Sequence, residues 1–136
     1  MPSVLNENQI ENLINQSQAA RNHSYSPYSK FRVGAALMAV GGKVYQGCNV
    51  ENASYGGAIC AERTAFVKAV SEGHRRFVAI AVSVDYNSFI SPCGICRQFM
   101  NEFGKDLEVF IVNDDRTYKQ TSLEDLLPHA FGPENL

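Results

Sequence analysis

The chain has 136 residues, of which 45% are hydrophobic and 19% charged, a composition typical of a single globular domain over residues 1–136. The net charge is −2, and the twelve lysine and arginine residues form no stripe, so no nucleic-acid polymer is expected as a partner. The sequence has no apolar run of membrane-spanning length and no visible secretory signal. We therefore expect a cytoplasmic protein with no membrane partner.

The first third of the chain predicts a helix followed by a hairpin. Apolar residues at helical spacing predict an amphipathic helix over 7–21. The Ser-Pro-Tyr-Ser stretch at 26–29 ends this helix, because proline and serine favour turns. Apolar runs over 31–40 and 43–48, separated by Gly41-Gly42, then predict two strands of a β-hairpin.

Helices and strands alternate in the rest of the chain. Helices are predicted over 61–72, where Gly73 follows as a cap, and over 91–103, where Ser91-Pro92 is a typical start. Strands are predicted over 77–84 and 107–112 and, from a weaker pattern, over 117–121, and Ser122 with Asp125 opens a last short helix. This order predicts an α/β fold with three layers, α/β/α, around a central mixed sheet of about five strands.

Three of the four cysteines lie where helices begin. Cys93 and Cys96 share the predicted start of one helix, so both sulfurs can converge on one metal ion. Cys60 opens the other helix, and the starts of two such helices can lie side by side at one edge of the sheet. Three protein ligands leave tetrahedral zinc one open position, which is typical of a catalytic site that holds water.

Glu62 is the candidate proton carrier of this site. It follows Cys60 by two residues in the first helical turn, about 200° around the axis, where it can lean over the metal-bound water. From there it can act as a general base and then as a general acid. Cys60-Ala61-Glu62 followed by Pro92-Cys93-Gly94-Ile95-Cys96 matches the signature of zinc-dependent nucleobase deaminases.

Two other interpretations of the cysteines stay open at this point. A redox module would use Cys93 and Cys96 alone as a dithiol. A closed structural zinc site would need Cys48 as a fourth ligand, although Cys48 ends an apolar strand and is better explained as a buried core residue. The three histidines have no ligand spacing relative to the cysteines.

Several stretches of the chain resemble the small zinc-dependent cytidine deaminases, and together they cover nearly the whole sequence. These stretches are 25–36, 47–55, 60–65, 91–98, 124–128 and 131–133. The resemblance implies hydrolytic deamination of cytidine and 2′-deoxycytidine to uridine and 2′-deoxyuridine, with release of ammonia, in pyrimidine salvage. It also implies one zinc ion (Zn²⁺) per chain and a homotetramer with shared active sites.

The resemblance also assigns the substrate contacts. Phe31 stacks on the pyrimidine, although its strand pattern alone would place it in the core. Asn49 and Glu51, two residues apart on an extended segment, bind the ribose 3′-hydroxyl.

A deaminase of the blasticidin type, or one that acts on nucleic acid, would keep the zinc core with another pocket. Phe31, Asn49 and Glu51 argue against the first of these and the acidic charge balance against the second.

Four further residues complete the expected site. By resemblance, Tyr55 and Phe131 close the pocket from neighbouring subunits, and Ala61 belongs to the substrate-binding residues. Three thiolates and a hydroxide would leave a divalent zinc ion with excess negative charge. Arg63, next to the first ligand, is expected to hydrogen-bond the sulfurs and draw off part of that charge.

Overall fold

The computed structural model describes residues 2–136 and places a five-stranded sheet between four α-helices, which confirms the predicted α/β fold. The helices are α1 (Glu7–Ala20), α2 (Ala61–Ser71), α3 (Gly94–Asn101) and α4 (Leu123–Leu126). The strands are β1 (Val33–Ala39), β2 (Val44–Cys48), β3 (Phe77–Val84), β4 (Glu108–Val112) and β5 (Tyr118–Ser122). Short 3₁₀ turns cover Arg21–His23, Tyr55–Gly57 and Pro133–Asn135.

The sheet is mixed, with the strand order β2-β1-β3-β4-β5. Strand β1 is antiparallel to both β2 and β3, β3 is parallel to β4, and β5 is antiparallel to β4. Strands β2, β3 and β4 therefore point the same way. Their carboxyl ends and the amino end of β1 lie at one edge of the sheet.

Both faces of the sheet are covered by helices, as the three-layer prediction requires. Alternate residues of β1 point to opposite faces, so Ala35 and Leu37 belong to one apolar cluster, whereas Ala36 and Met38 belong to another. Helix α1 contributes Leu13 and Ile14 to the second cluster. Helices α2, α3 and α4 cover the opposite face and contribute side chains to the first cluster. The helical residues of this cluster are Ala61, Ala65, Phe66, Ala69, Cys96, Met100 and Leu123.

Local sequence explains where the first helix starts. The side-chain oxygen of Asn6 accepts a hydrogen bond from the backbone N–H of Gln9 at 2.8 Å, and the Gln9 side chain accepts one from the Asn6 backbone at 2.9 Å. This reciprocal cap satisfies two backbone donors that the helix itself leaves without partners.

Two predicted boundaries differ from the structure near the edge where α2 and α3 begin. The first strand starts at Val33 and not at residue 31, because the backbone N–H and C=O of Phe31 bond to the side chains of Ser29 and Asn49. Helix α3 starts after Cys93 and not at Ser91, because Cys93 keeps an extended backbone, with ψ of 165°. In both places the extended backbone outside the strand or helix carries a side chain at the edge of the sheet, that of Phe31 in one case and that of Cys93 in the other.

Among residues 2–136, no helix combines the length and the apolar character that crossing a membrane requires.

Close contact between β2 and α2 generates a stability prediction at Gly47. A Cβ atom at this position would lie 2.5 Å from the Ala65 nitrogen and 2.6 Å from the Ala61 oxygen, both in the backbone of α2. We expect the added methyl group of Gly47→Ala to push α2 away from β2 and to lower the free energy of unfolding by about 1–3 kcal/mol. Urea unfolding followed by circular dichroism measures the change.

Gly56→Ala is the control for this prediction, because a Cβ atom there meets no heavy atom within 4 Å. The control should unfold at the same urea concentration as the unaltered protein. If Gly47→Ala also did so, the close approach of α2 to β2 would be contradicted.

Candidate active site at the edge of the sheet

Two helix starts face each other at the edge where β2 and β3 end. Cys60 is the N-cap residue of α2 and Cys93 is the N-cap residue of α3, both with extended backbone. Neither side chain caps its own helix, so both thiols are free to point elsewhere. Cys96 lies in the first turn of α3 and is fully buried.

The structure brings these three thiols together. The Cys60 and Cys93 sulfurs are 3.8 Å apart, the Cys93 and Cys96 sulfurs are 3.4 Å apart, and all three lie within 4.8 Å of one another. Within the described part of the chain, this is the one group of three or more cysteine, histidine or acidic residues placed to hold a metal. The Cys48 sulfur is turned to the carbonyl of His23 instead, at 3.3 Å.

Electrostatics also favour a cation at this point. Hydrogen bonds from the Cys96 thiol and from Arg63 lower the pKa of Cys60 to about 5, although burial opposes this change. The neighbouring Cys60 thiolate and burial raise the pKa of Cys96. Without a cation, three sulfurs at this spacing thus resist full ionisation. A divalent metal removes the repulsion between thiolates.

Zinc fits this donor set. Thiolates are soft ligands that bind zinc well, and three of them leave one tetrahedral position open. A closed four-cysteine site is contradicted, because Cys48 lies outside the group. Zinc therefore fits as the cofactor of this protein, and Cys60, Cys93 and Cys96 are the group positioned to hold it.

Glu62 lies beside the thiols in the first turn of α2, and only 4% of it is exposed. Burial, with a smaller contribution from the negative charge of Cys60, raises its pKa to about 7. A carboxyl group in this range can accept and donate a proton near neutral pH. The start of α2 therefore places a carboxyl group that can carry protons next to the three thiols.

Arg63 contacts the thiols from the same helical turn. Its Nη2 atom donates to the Cys60 sulfur at 3.7 Å. Its Nε atom is buried and has no hydrogen-bond partner among the described residues. The guanidinium thus supplies positive charge next to a thiolate that would otherwise carry full negative charge.

An open cavity of about 630 Å³ leads from the surface to Cys60, Cys93 and Glu62. Its walls come from the 29–33 segment, the 49–63 segment, the end of β3 and residues 90–95. Phe31, Asn49, Glu51, Tyr55 and Arg63 are all among its lining residues. The structure thus brings four of the six predicted substrate contacts to one cavity with Cys60 and Cys93.

Asn49 and Glu51 are both held by the 24–33 segment. The Asn49 amide donates to the Phe31 carbonyl at 2.7 Å and accepts from the Val33 N–H at 2.9 Å. The second N–H of this amide has no hydrogen-bond partner among residues 2–136. The Glu51 carboxylate accepts from two backbone N–H groups and from the Ser29 hydroxyl, and the Ser29 contact is the main cause that lowers its pKa.

Ala61 and Phe131 lie outside the cavity lining. Ala61 is fully buried in the first turn of α2. Phe131 is 62% exposed, and its backbone carbonyl accepts hydrogen bonds from Gln98 and Asn101, each at 3.1 Å. Tyr55 lines the cavity but is 77% exposed.

Two residues that the sequence analysis missed support the walls of the cavity. Arg97 donates three hydrogen bonds of 2.7 Å, to the Pro92 carbonyl, the Ser91 hydroxyl and the Leu126 carbonyl. It thereby fixes the segment that leads into Cys93. Tyr86 stacks on Phe31. The position of Arg97, four residues after Cys93, could have indicated its contact with the segment before Cys93. No local sequence pattern indicates the stack of Tyr86 on Phe31.

Three thiols placed to hold a metal beside a buried carboxyl group are an arrangement typical of zinc-dependent hydrolytic enzymes. Comparison with known proteins agrees, because a family model described as the cytidine and deoxycytidylate deaminase zinc-binding region matches residues 7–112. The chain belongs to this deaminase family. It is thus a hydrolase that acts on a C–N bond.

Individual relatives span nearly the whole chain. A probable cytidine deaminase of Dictyostelium discoideum is 49% identical over 133 residues, 97% of this chain and 90% of the relative. The cytidine deaminase of Sporosarcina psychrophila is 49% identical over 93% of this chain and 94% of its own. The crystal structure of cytidine deaminase from Burkholderia pseudomallei has a TM-score of 0.86 and 52% identity, with 89% of this chain and 98% of that chain covered.

Zinc content distinguishes the three ligands from the fourth cysteine. We expect Cys96→Ser and Cys93→Ser to lose most of the zinc that the purified protein carries, because two thiolates hold the ion too weakly. Cys48→Ala is the matched control and should keep about one zinc ion per chain. Inductively coupled plasma mass spectrometry of purified protein measures the ratio. Loss of zinc from the control would contradict the three-thiol site.

Proposed function

We propose that this protein removes the 4-amino group of cytidine and 2′-deoxycytidine by hydrolysis and releases uridine or 2′-deoxyuridine with ammonia. One observation carries the proposal: a single cavity contains two metal-binding cysteines, the buried Glu62 and the aromatic ring of Phe31. The relatives named above are cytidine deaminases at 49–52% identity, which supports the same reaction.

Glu62 moves the protons of this reaction. Bound zinc supplies Lewis acidity and lowers the pKa of the attacking water. Glu62 takes a proton from that water and delivers it to ring N3, while the water oxygen bonds to C4. Glu62 then takes the remaining proton from the hydroxyl group at C4 and passes it to the 4-amino group, the C4–N bond breaks, and ammonia leaves. Because only 4% of Glu62 is exposed, a substrate that fills the cavity would shield these transfers from bulk water.

The substrate-binding contacts follow from groups that face the cavity. Phe31 offers a ring on which a pyrimidine can stack, a contact worth about 1–3 kcal/mol where bases stack on aromatic side chains. The free N–H of Asn49 and the carboxylate of Glu51 can bind a ribose hydroxyl as donor and acceptor. Neither contact requires a 2′-hydroxyl, so we propose both the ribonucleoside and the deoxyribonucleoside as substrates.

A free nucleoside suits the cavity better than a nucleotide. Its charged lining residues are Glu51, Glu62 and Arg63, and the arginine is already directed at the Cys60 sulfur. A 5′-phosphate carries about −1.5 to −2 charges at neutral pH. With no other cation on the wall, a phosphate would meet repulsion from Glu51 without compensation. We therefore favour nucleosides over deoxycytidylate.

Assembly and cellular role are further parts of the proposal. Tyr28, Tyr55 and Phe131 leave large aromatic surfaces exposed, and such surfaces favour contact with another subunit. Tyr55 at the cavity mouth and Phe131 outside it are consistent with active sites shared in a homotetramer. We further propose a single domain over residues 1–136, a cytoplasmic location and a role in pyrimidine salvage.

Replacement of Glu62 by glutamine tests the reaction. Glu62→Gln keeps the size of the side chain but cannot carry protons, so we expect zinc to stay bound and kcat for cytidine to fall by about 10²–10⁴-fold. The loss of cytidine absorbance measures kcat, and mass spectrometry measures zinc.

Glu72→Gln is the matched control, since Glu72 caps the other end of α2 and is paired with Lys43 at 3.3 Å near the surface. It should leave both zinc content and kcat unchanged. Near-normal turnover by a zinc-loaded Glu62→Gln protein would rule out the proposed proton carrier.

A further inference from the structure

The ring of Tyr86 covers the ring of Phe31 from outside the cavity. Tyr86 follows β3, 55 positions after Phe31 in the printed sequence, and 52% of it is exposed. The two ring centroids are 5.3 Å apart, with an angle of 18° between the planes, which is stacked geometry. The cavity lining includes Phe31 but not Tyr86. The tyrosine therefore contacts Phe31 without facing the cavity itself.

A bidentate ion pair joins the chain neighbours of the two rings. The Arg32 guanidinium, next to Phe31, donates to the Asp85 carboxylate, next to Tyr86, at 2.8 and 3.0 Å. Arg21, directly after the end of α1, donates to the same carboxylate at 2.9 Å and also to the Val84 carbonyl. The backbone that carries Tyr86 is thus tied to the backbone that carries Phe31, in the two-point geometry that gives arginine pairs directional specificity.

The main chain of Phe31 is fixed, whereas its side chain belongs to neither apolar core cluster of the described residues. Ser29 bonds its N–H and Asn49 bonds its C=O, at 3.0 and 2.7 Å. The ring itself is partly exposed and lies at a cavity wall. The stack with Tyr86 is the one aromatic contact of this ring among residues 2–136, and a ring at an open wall without such support loses conformational entropy when a ligand orders it.

We propose that Tyr86 is a positioning residue that holds the Phe31 ring ready to stack on the pyrimidine, so that the affinity for substrate depends on Tyr86. The proposal rests on the proposed function above. Tyr86 touches no reacting atom, because it lies outside the cavity. Its loss should weaken substrate binding and leave the proton transfers of Glu62 intact.

Steady-state kinetics with cytidine test the proposal. Tyr86→Ala should raise KM about two- to tenfold, the range that corresponds to one aromatic pair, with kcat within about twofold of the unaltered protein. Tyr86→Phe keeps the ring and should restore KM. Tyr86→Leu keeps apolar volume without a ring, so it should raise KM as the alanine variant does. Zinc content should stay constant in all three.

Tyr118→Ala is the matched control. Tyr118 is 43% exposed and packs against Phe110 with centroids 5.7 Å apart, but it lies on the edge strand β5 and outside the cavity lining. This variant should keep the KM of the unaltered protein. An equal rise in KM for Tyr118→Ala would show a general structural effect and overturn the proposal.

A double-mutant cycle separates action through Phe31 from any other action. Phe31→Ala should raise KM by itself, and Tyr86→Ala should add no further rise in that background. Additive effects, an unchanged KM in Tyr86→Leu, or failure of Tyr86→Phe to restore KM would each overturn the proposal. If Tyr86→Ala turned cytidine over with an unchanged KM, only the proposed role of Tyr86 would be overturned. If the unaltered, zinc-loaded protein did not turn cytidine over, the proposed function would be overturned as well.

Discussion

Repulsion between thiolates is the constraint on which the site depends. Three cysteine sulfurs lie within 4.8 Å of one another, and three negative charges at that spacing need a cation, positive helix ends and nearby donors to coexist. Cys60 and Cys93 each stand at a helix start, and Arg63 donates to Cys60. A bound zinc ion would neutralise the remaining repulsion, and three thiolate ligands would leave one of its positions open for water.

The sheet makes this arrangement possible. Because β1 runs opposite to both of its neighbours, the ends of β2 and β3 lie at the edge where α2 and α3 start. The loops that leave this edge supply the cavity walls. Their backbones are fixed by side chains, as Asn49 fixes Phe31 and Arg97 fixes Pro92. Chemistry at one end of the sheet therefore rests on contacts between segments that are distant in sequence.

Periodicity and spacing predicted much of this structure from the sequence. The strand over Phe77–Val84 and the helix from Ala61 are confirmed because buried faces impose regular apolar patterns. The metal group was predictable because ligand spacing at a helix start is local. The Phe31 and Tyr86 stack was not, since neither residue belongs to a helix or strand and their contact depends on the folded sheet. The start predicted for β1 at residue 31 was wrong because the backbone of Phe31 bonds to the side chains of Ser29 and Asn49.

The most direct test of the account is the absorbance change when cytidine, and separately deoxycytidylate, is mixed with purified protein whose zinc content is measured on the same sample. The account predicts conversion of cytidine to uridine by protein with about one zinc ion per chain, and little or no conversion of the nucleotide. Folded, zinc-loaded protein that leaves cytidine unchanged would contradict it.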